Sequence, residues 1–222
     1  MSAPGLADLS DALQDYLREI YKLQADTPRV KTTTLARRMG VRPPSATAMV
    51  KKLAELGLVD HQPYRGARLT PQGERLALEV LRHHRLLELY LARTLELGLD
   101  AVHAEADRLE HALSEDLEER IDRALGSPTE DPHGDPIPDS QLRILRAQTR
   151  RLAELRPGER ATVQGIPDGD GELVRYLAEL GLVPGRPVEL LDAEPHGGPI
   201  TVRAGRRAAI SRQLAGEIRV SG

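Results

Sequence analysis

The stretch TTTLARRMGVRPPSATAMVKKLAELG, residues 32–57, contains two short helical patterns separated by a tight turn. The first pattern begins near Thr33, where hydroxyl side chains can cap a helix, and ends at Gly40. The second follows VRPP, takes Ser45 as its hydroxyl cap and ends at Gly57. The next stretch, LVDHQPYRGARLT, places two β-capable pieces around a Pro/Gly turn, which predicts a hairpin.

Two short helices followed by an arginine-containing hairpin are the outline of a winged helix-turn-helix, a unit that binds DNA. In such units lysine and arginine contact phosphates, while short polar side chains near the start of the second helix read base edges. The candidate DNA-binding residues lie on the second helix and in the hairpin: Arg42, Pro44, Ser45, Thr47, Lys51, Lys52, Arg65 and Arg68. A solvated helical pair with an ordinary basic surface would have the same outline, so both interpretations stay open at this point.

Charge is distributed unevenly along the chain, although the net charge is only −3. Residues 29–85 carry 12 lysines and arginines against 4 acidic residues, and residues 86–140 carry 4 against 15. A basic block followed by an acidic one indicates that one part of the chain meets a polyanion and the next collects cations.

The remaining composition restricts the class of protein. The 222 residues include no cysteine, which excludes disulfides and thiolate sites and fits a reducing compartment. No apolar run approaches the roughly 20 residues of a transmembrane helix, and the N-terminus lacks the apolar region of a signal peptide. We therefore expect a cytoplasmic protein with no membrane partner.

The rest of the chain predicts a mainly α fold with small β parts. Helical spacing of apolar residues predicts helices over 8–24, from about Pro71 to Gly98, and over about 100–125. The segment GSPTEDPHGDPIPDS, residues 126–140, is rich in Pro, Gly and Asp and marks a linker. Beyond it, short alternating stretches and one helix, at ELVRYLAELGL, predict a small β-barrel. We expect three domains, over 1–74, 75–140 and 141–222.

The acidic block contains HAEADRLEH, residues 103–111, in which four metal-capable side chains recur at helical spacing. On one helix they would fall within an arc of about 100°; they are His103, Asp107, Glu110 and His111. An apolar stripe lies beside that arc: Val102, Ala106, Leu109, Leu113 and Leu117. His84 and Glu88 form a second pair at i,i+4, although a charged, solvated helix would also have this composition.

Several motifs together resemble the diphtheria toxin repressor / manganese transport regulator family of metal-activated transcription factors. They are LARRMGVRPPSATAMVKKLAELGLV, YRGARLTPQGERLA and HHRLLELYLARTLELG, followed by VHAEADRLEHALSEDLEERI. LRPGERATV and LAELGLVPGRPVEL, within residues 152–222, are similar to the SH3-like domain shared with ferrous-transport (FeoA) proteins. The resemblance covers nearly the whole chain in the family's order.

The resemblance implies two cation sites per subunit in a homodimer that binds a palindromic operator in double-stranded DNA. Carried over by position, the primary site would comprise Asp15, Asp107, Glu110 and His111. The ancillary site would comprise His84, Glu88 and His103. The apolar stripe beside these ligands would pack the two subunits of the homodimer together. The loop DGDGE would supply possible further ligands: Asp168, Asp170 and Glu172.

This chain departs from the family pattern at identifiable positions. Asp15 and Asp107 replace the sulfur ligands of iron-responsive members, and Arg18 stands where manganese-responsive members have a further Glu. Oxygen ligands favour Mn²⁺, with Fe²⁺ as the alternative, while Zn²⁺, Co²⁺ or Cd²⁺ would substitute in vitro. Ala48 replaces a base-reading Gln, so the operator sequence cannot be carried over.

The predicted function is metal-dependent transcriptional regulation of metal-ion homeostasis genes. One alternative is a winged-helix regulator that senses a small organic ligand without metal. A metal hydrolase is the other, but the zinc-protease spacing H-E-x-x-H is absent and no Ser or Cys nucleophile accompanies the cluster. We therefore expect no enzymatic activity.

Overall fold

The computed structural model describes residues 4–145 and 147–222. The chain divides into two compact units, each with an apolar core of its own. The first comprises residues 4–83, Glu110–Leu113 and Pro138–Arg143. The second comprises His84–Leu109, Ser114–Ile137 and Ile144–Gly222.

The first unit contains the winged helix-turn-helix that the sequence predicts. Its helices are α1 (Asp11–Leu23), α2 (Thr32–Arg38) and α3 (Pro43–Glu55), and its strands β1 (Val59–Gln62) and β2 (Gly66–Leu69) pair antiparallel. Apolar residues at helical spacing meet in one core, in which Leu17, Leu35 and Leu53 are fully buried. The long helix α4 (Pro71–Thr94) follows the hairpin. The predicted helix-turn-helix and hairpin are confirmed.

The starts and ends of several helices differ from the prediction. Helix α3 begins at Pro43 rather than Ser45, because proline at the first helical position loses no hydrogen bond and has the required φ. Helix α2 begins at Thr32, and its capping residue Lys31 makes no side-chain capping bond. The predicted hydroxyl caps of these two helices are therefore wrong. Helix α4 ends at Thr94, before the expected Gly98.

The predicted single helix over about 100–125 is also wrong. Helix α5 covers Leu99–Leu109, a 3-10 turn covers Glu110–Ala112, and α6 covers Glu115–Ala124. The break occurs because the Ser114 hydroxyl accepts from the backbone N–H of Leu117 at 3.4 Å and starts a new helix. The apolar stripe is consequently not continuous.

Residues of that stripe have different environments. Val102 and Ala106 are fully buried within the second unit, whereas Leu109 and Leu117 are 45% and 47% exposed. The stripe is therefore partly buried, and its exposed large side chains are Leu109 and Leu117.

The second unit contains α5, α6 and an SH3-like domain. Its six antiparallel strands lie in the order β3 (Arg150–Arg151), β8 (Arg219–Ser221), β4 (Arg160–Gly165), β5 (Pro187–Ala193), β6 (Ile200–Arg203) and β7 (Arg207–Ile210). Helix α7 (Gly171–Leu180) matches the predicted helix, while α8 (Arg212–Glu217) was not predicted. Residues 126–140 contain no helix or named strand, as their composition indicates.

No helix within the described ranges is both long enough and apolar enough to cross a membrane.

Candidate metal centres

Four metal-capable side chains of the second unit meet in what we call the ancillary cluster: His84, Glu88, His103 and Asp168. His84 Nε2, His103 Nδ1 and Glu88 Oε1 lie 2.9–3.1 Å from one another. Ligand atoms at right angles around an ion, each about 2.2 Å from it, are about 3.1 Å apart. The donor set and its spacing therefore fit one divalent cation.

Helix geometry brings the ancillary cluster together. His84 and Glu88 lie one turn apart on α4, and both side chains are almost fully buried. Burial raises the pKa of Glu88, but the adjacent His84, together with His103 and His133, holds that pKa well below its usual range. Glu88 is consequently an anion among imidazoles, which is the charge arrangement of a cation site.

The structure places Asp107 beside the two histidines of this cluster. Its Oδ1 lies 3.3 Å from His84 Nδ1, and its Oδ2 lies 3.8 Å from His103 Nε2. A carboxylate behind a ligating imidazole fixes its tautomer and raises its basicity. In this geometry Asp107 can orient His84 so that Nε2 faces the cation.

The loop DGDGE contributes one residue to the ancillary cluster. Asp168 Oδ2 lies 3.8 Å from His103 Nδ1. Asp170 instead caps α7, where its Oδ1 accepts from the backbone N–H groups of Glu172 and Leu173. Among the described residues, neither Asp170 nor Glu172 belongs to a group of close ligand atoms, and the Glu172 side chain is exposed.

The primary cluster lies within the first unit and comprises Asp15, Glu110 and His111. His111 Nε2 is 3.3 Å from Asp15 Oδ1 and 3.4 Å from Glu110 Oε1. On the other side of the ring, His111 Nδ1 donates to Gln14 Oε1 at 2.8 Å. The Gln14 amide is oriented because its NH₂ donates to the carbonyls of Leu6 and Leu9. Gln14 therefore fixes the tautomer that leaves Nε2 available as a ligand.

A guanidinium occupies the position next to these carboxylates. Arg18 Nη1 donates to both oxygens of Glu110, at 2.6 and 2.5 Å, and Arg18 Nη2 lies 3.6 Å from Asp15 Oδ1. The side chains of Arg18 and Glu110 are 7% and 0% exposed. Arg18 is therefore a cation built into the primary cluster, and it explains how a buried Glu110 is tolerated without a metal ion.

Sequence reasoning missed three polar residues that the fold brings to these centres. Gln14 adjoins a predicted ligand on α1, but no spacing rule selects it. Asp131 and His133 belong to the linker and form a third group with Glu88, in which all three residues are buried. The signal that could have revealed this pair is DPH, a carboxylate and an imidazole two residues apart in an otherwise polar loop.

The predicted DNA-binding residues lie on the surface of the first unit. Seven of them are exposed: Arg42, Pro44, Ser45, Lys51, Lys52, Arg65 and Arg68. Thr47 is half-buried, and its hydroxyl donates to the carbonyl of Pro43 at 2.9 Å. Tyr64, at the hairpin turn with a φ of 64°, is fully exposed and was not predicted.

Family models match almost the whole chain. The N-terminal DNA-binding domain of the iron-dependent repressors matches residues 8–67, their metal-binding and dimerisation domain matches residues 70–139, and the FeoA domain matches residues 150–222.

Individual proteins are also similar to this chain over almost its whole length. The iron-dependent repressor IdeR of Mycobacterium leprae is 31% identical over 96% of this chain and 98% of its own. A manganese-dependent transcriptional repressor solved with manganese has a TM-score of 0.88 at 38% identity, covering 95% of this chain and 99% of that one. ScaR with bound Cd²⁺ has a TM-score of 0.81 at 28% identity, covering 94% and 98%. The chain therefore belongs to the iron-dependent repressor family, which its fold and its clustered ligands had already indicated.

Proposed function

We propose that this chain is a metal-activated, DNA-binding transcriptional regulator of metal-ion homeostasis genes, and not an enzyme. One observation carries the proposal: three ligand atoms of the ancillary cluster lie within 3.1 Å of one another in a chain with an exposed, basic winged helix-turn-helix. Family membership supports the same function. A regulator that binds chromosomal DNA works in the cytoplasm.

Two cations per subunit are part of this proposal. The ancillary ion would be held by His84, Glu88 and His103, with Asp168 as a further ligand. The primary ion would be held by Asp15, Glu110 and His111. Asp107, which the sequence assigned to this site, lies instead beside His84 and would orient that imidazole. Because the donors are carboxylates and imidazoles without sulfur, we propose Mn²⁺, with Fe²⁺ as the alternative. Zn²⁺, Co²⁺ and Cd²⁺ would bind in vitro, a view supported by the Cd²⁺-bound relative.

The primary cluster offers a route from cation binding to DNA binding. Asp15 is on α1, which packs against α2 and α3 in the first unit. A cation held between Asp15 and His111 would fix α1, and with it the recognition helix α3. Activation would then consist of selecting the helix arrangement that fits the major groove.

A homodimer on a palindromic operator completes the proposal. The family's dimerisation domain matches residues 70–139, and Leu109 and Leu117 are exposed leucines within that range. A two-fold dimer presents two recognition helices, so its operator would consist of two inverted half-sites.

Fluorescence anisotropy with a fragment of the chain's own promoter region tests the function. We expect metal-stripped protein to bind weakly and to gain at least about tenfold in affinity with Mn²⁺, since activation couplings of 1–3 kcal/mol are common. His103→Asn should lose most of that gain, whereas His196→Asn, a matched change of an exposed loop histidine, should keep it. Equal affinity with and without chelator would contradict the proposal and favour a metal-independent regulator.

The same assay tests the DNA-binding surface. The logarithm of affinity should fall linearly with the logarithm of salt concentration, because phosphate contacts release counterions. Lys51→Ala should reduce that slope by about one if Lys51 contacts a phosphate. An unchanged slope would remove Lys51 from the proposed surface.

A further inference from the structure

Tyr64 stands at the turn of the β1–β2 hairpin in the first unit, and its side chain is fully exposed. Its neighbours in the turn are Pro63 and Arg65, so the ring is not part of a larger apolar surface at this point of the hairpin. A single exposed apolar side chain is common on protein surfaces. Tyr64 differs from that common case because its backbone conformation is also unfavourable.

The turn has a geometry that favours glycine at the position of Tyr64. Pro63 and Tyr64 are its two central residues, and the backbone N–H of Arg65 donates to the Gln62 carbonyl at 3.1 Å. Tyr64, the second central residue, has a φ of 64°. Proline followed by a residue at positive φ is the pattern of a type II turn, in which glycine or asparagine suits the second position. A bulky side chain there lowers the stability of the fold, which indicates that the ring is kept for a contact outside this chain.

The base of the hairpin is fixed within the first unit. The backbone groups of Val30 and Ala67 exchange two hydrogen bonds, at 2.8 and 2.9 Å. Gly66 has a φ of +98°, and a Cβ there would lie 2.5 Å from the Val30 carbonyl oxygen, so only glycine permits this approach. The hairpin therefore presents the Tyr64 ring from a defined position.

The charge around the ring is positive. Arg65 and Arg68 are exposed, and neither makes an ion pair with another residue in the described ranges. The one acidic residue of the hairpin, Asp60, is paired with Arg29. An aromatic ring between unpaired guanidinium groups fits an anionic partner better than an apolar protein surface.

The hairpin follows the recognition helix directly along the chain. Helix α3 ends at Glu55, β1 begins at Val59, and the two elements pack together. A strand of four residues is about 13 Å long, which is close to the width of the major groove of about 12 Å. With α3 in that groove, the turn can reach the sugar–phosphate backbone that borders it.

We propose that Tyr64 is a DNA contact that holds the hairpin on the duplex. Its ring packs against a deoxyribose beside the groove that α3 occupies, and its hydroxyl donates to a phosphate oxygen. Tyrosine is one of the side chains that donate to phosphates, and a ring with an apolar face and a polar end suits alternating sugars and phosphates. This inference rests on the DNA binding proposed above.

Two measurements on Tyr64→Asn, made with the full-length protein, test the contact. Asparagine tolerates positive φ, so the urea midpoint of unfolding should rise. Affinity for the promoter fragment, measured by anisotropy in Mn²⁺, should fall at least about fivefold, because an aromatic side chain on nucleic acid is commonly worth that much. The salt dependence should keep its wild-type slope, since a neutral side chain releases no counterion. A residue with a merely structural role would not give higher stability together with weaker binding.

Two further variants complete the test. Tyr64→Phe keeps the ring and the unfavourable φ, so its urea midpoint should match wild type and its affinity should lie between those of wild type and Tyr64→Asn. Tyr176→Asn changes an exposed tyrosine on α7 and should keep the wild-type affinity. Unchanged affinity in Tyr64→Asn would overturn the contact, as would a loss of the same size in Tyr176→Asn. A lower urea midpoint in Tyr64→Asn would show that the ring stabilises the fold instead, and would also overturn it.

Repeating the titrations with chelator separates this inference from the proposed function. Metal-dependent DNA binding that is equally tight in wild type and Tyr64→Asn would overturn the contact and leave the proposed function intact. Metal-independent binding that is weaker in Tyr64→Asn would do the reverse. Absence of any DNA binding by the wild type would overturn both.

Discussion

Replacing Arg18 by methionine should have opposite effects on folding stability and on metal affinity. Arg18 and Glu110 are buried, and one guanidinium nitrogen donates to both carboxylate oxygens. Removing one partner of a buried pair costs about 3–5 kcal/mol, because the other charge is left uncompensated. Methionine keeps much of the apolar stem, so lost packing contributes little. We expect metal-free Arg18→Met to be about 3–5 kcal/mol less stable than wild type.

A cation bound at Glu110 must compete with this guanidinium. Without Arg18, Mn²⁺ compensates the charge of Glu110 directly. Mn²⁺ binding should therefore recover part of the free energy of unfolding that the substitution removes, and the variant should bind Mn²⁺ more tightly. If 3 kcal/mol of it returns, affinity at the primary cluster rises about 150-fold, since 1.4 kcal/mol corresponds to a factor of ten. The stability difference between variant and wild type should accordingly shrink in saturating Mn²⁺.

Urea denaturation, with and without Mn²⁺, measures both effects. Arg120→Met is the matched control, because Arg120 pairs with Asp116 at 2.9 Å and both side chains are exposed. That surface pair should be worth no more than about 1 kcal/mol. If Arg18→Met costs no more than Arg120→Met, Arg18 is not the cation that compensates Glu110. A variant that is equally destabilised at every Mn²⁺ concentration would refute the competition.

Three further predictions concern the surroundings of the ligands. Gln14→Leu should lower Mn²⁺ affinity at the primary cluster by about 10–100-fold, because the tautomer of His111 is no longer set; calorimetric titration measures this, and an unchanged affinity would remove Gln14 from that role. Asp168→Asn should weaken Mn²⁺ binding at the ancillary cluster in the same titration. Asp170→Asn should not, because Asp170 caps α7 and asparagine also caps helices. Equal effects of the two substitutions would exclude Asp168 as a ligand. Burial lowers the pKa of His133, but the adjacent Glu88 and Asp131 carboxylates raise it from 6.5 to about 9. The protonated His133 therefore stabilises the metal-free protein fully below pH 6.5, and this stabilisation is lost as pH rises through 9. The urea midpoint of the wild type should fall between pH 6.5 and 9, and that of His133→Gln should fall less. If the two midpoints change with pH in parallel, His133 is not the cause.

Much of the fold follows from local sequence. The helix-turn-helix, the hairpin and α4 were predictable because apolar spacing and turn residues act over a few neighbours, and burial of Leu17, Leu35 and Leu53 follows from that spacing. The grouping of His84 with Glu88 was predictable for the same reason, since residues one turn apart share a helix face. Helix starts were less predictable, because Pro43 and Ser45 both suit a first turn and the packing of the whole helix selects between them.

The metal centres depend on tertiary structure. The sequence predicted candidate ligands in HAEADRLEH from one continuous helix, but the helix ends at Leu109 and Glu110 lies in a 3-10 turn. Spacing also could not show that Arg18 reaches Glu110, 92 positions away, or that the linker brings His133 to Glu88. Residue identity and short spacing determine which side chains can ligate a cation, whereas chain folding over long separations decides which of them meet. Burial then decides which of those groups must find a partner, since only in the interior does a polar atom without one carry a large free-energy cost.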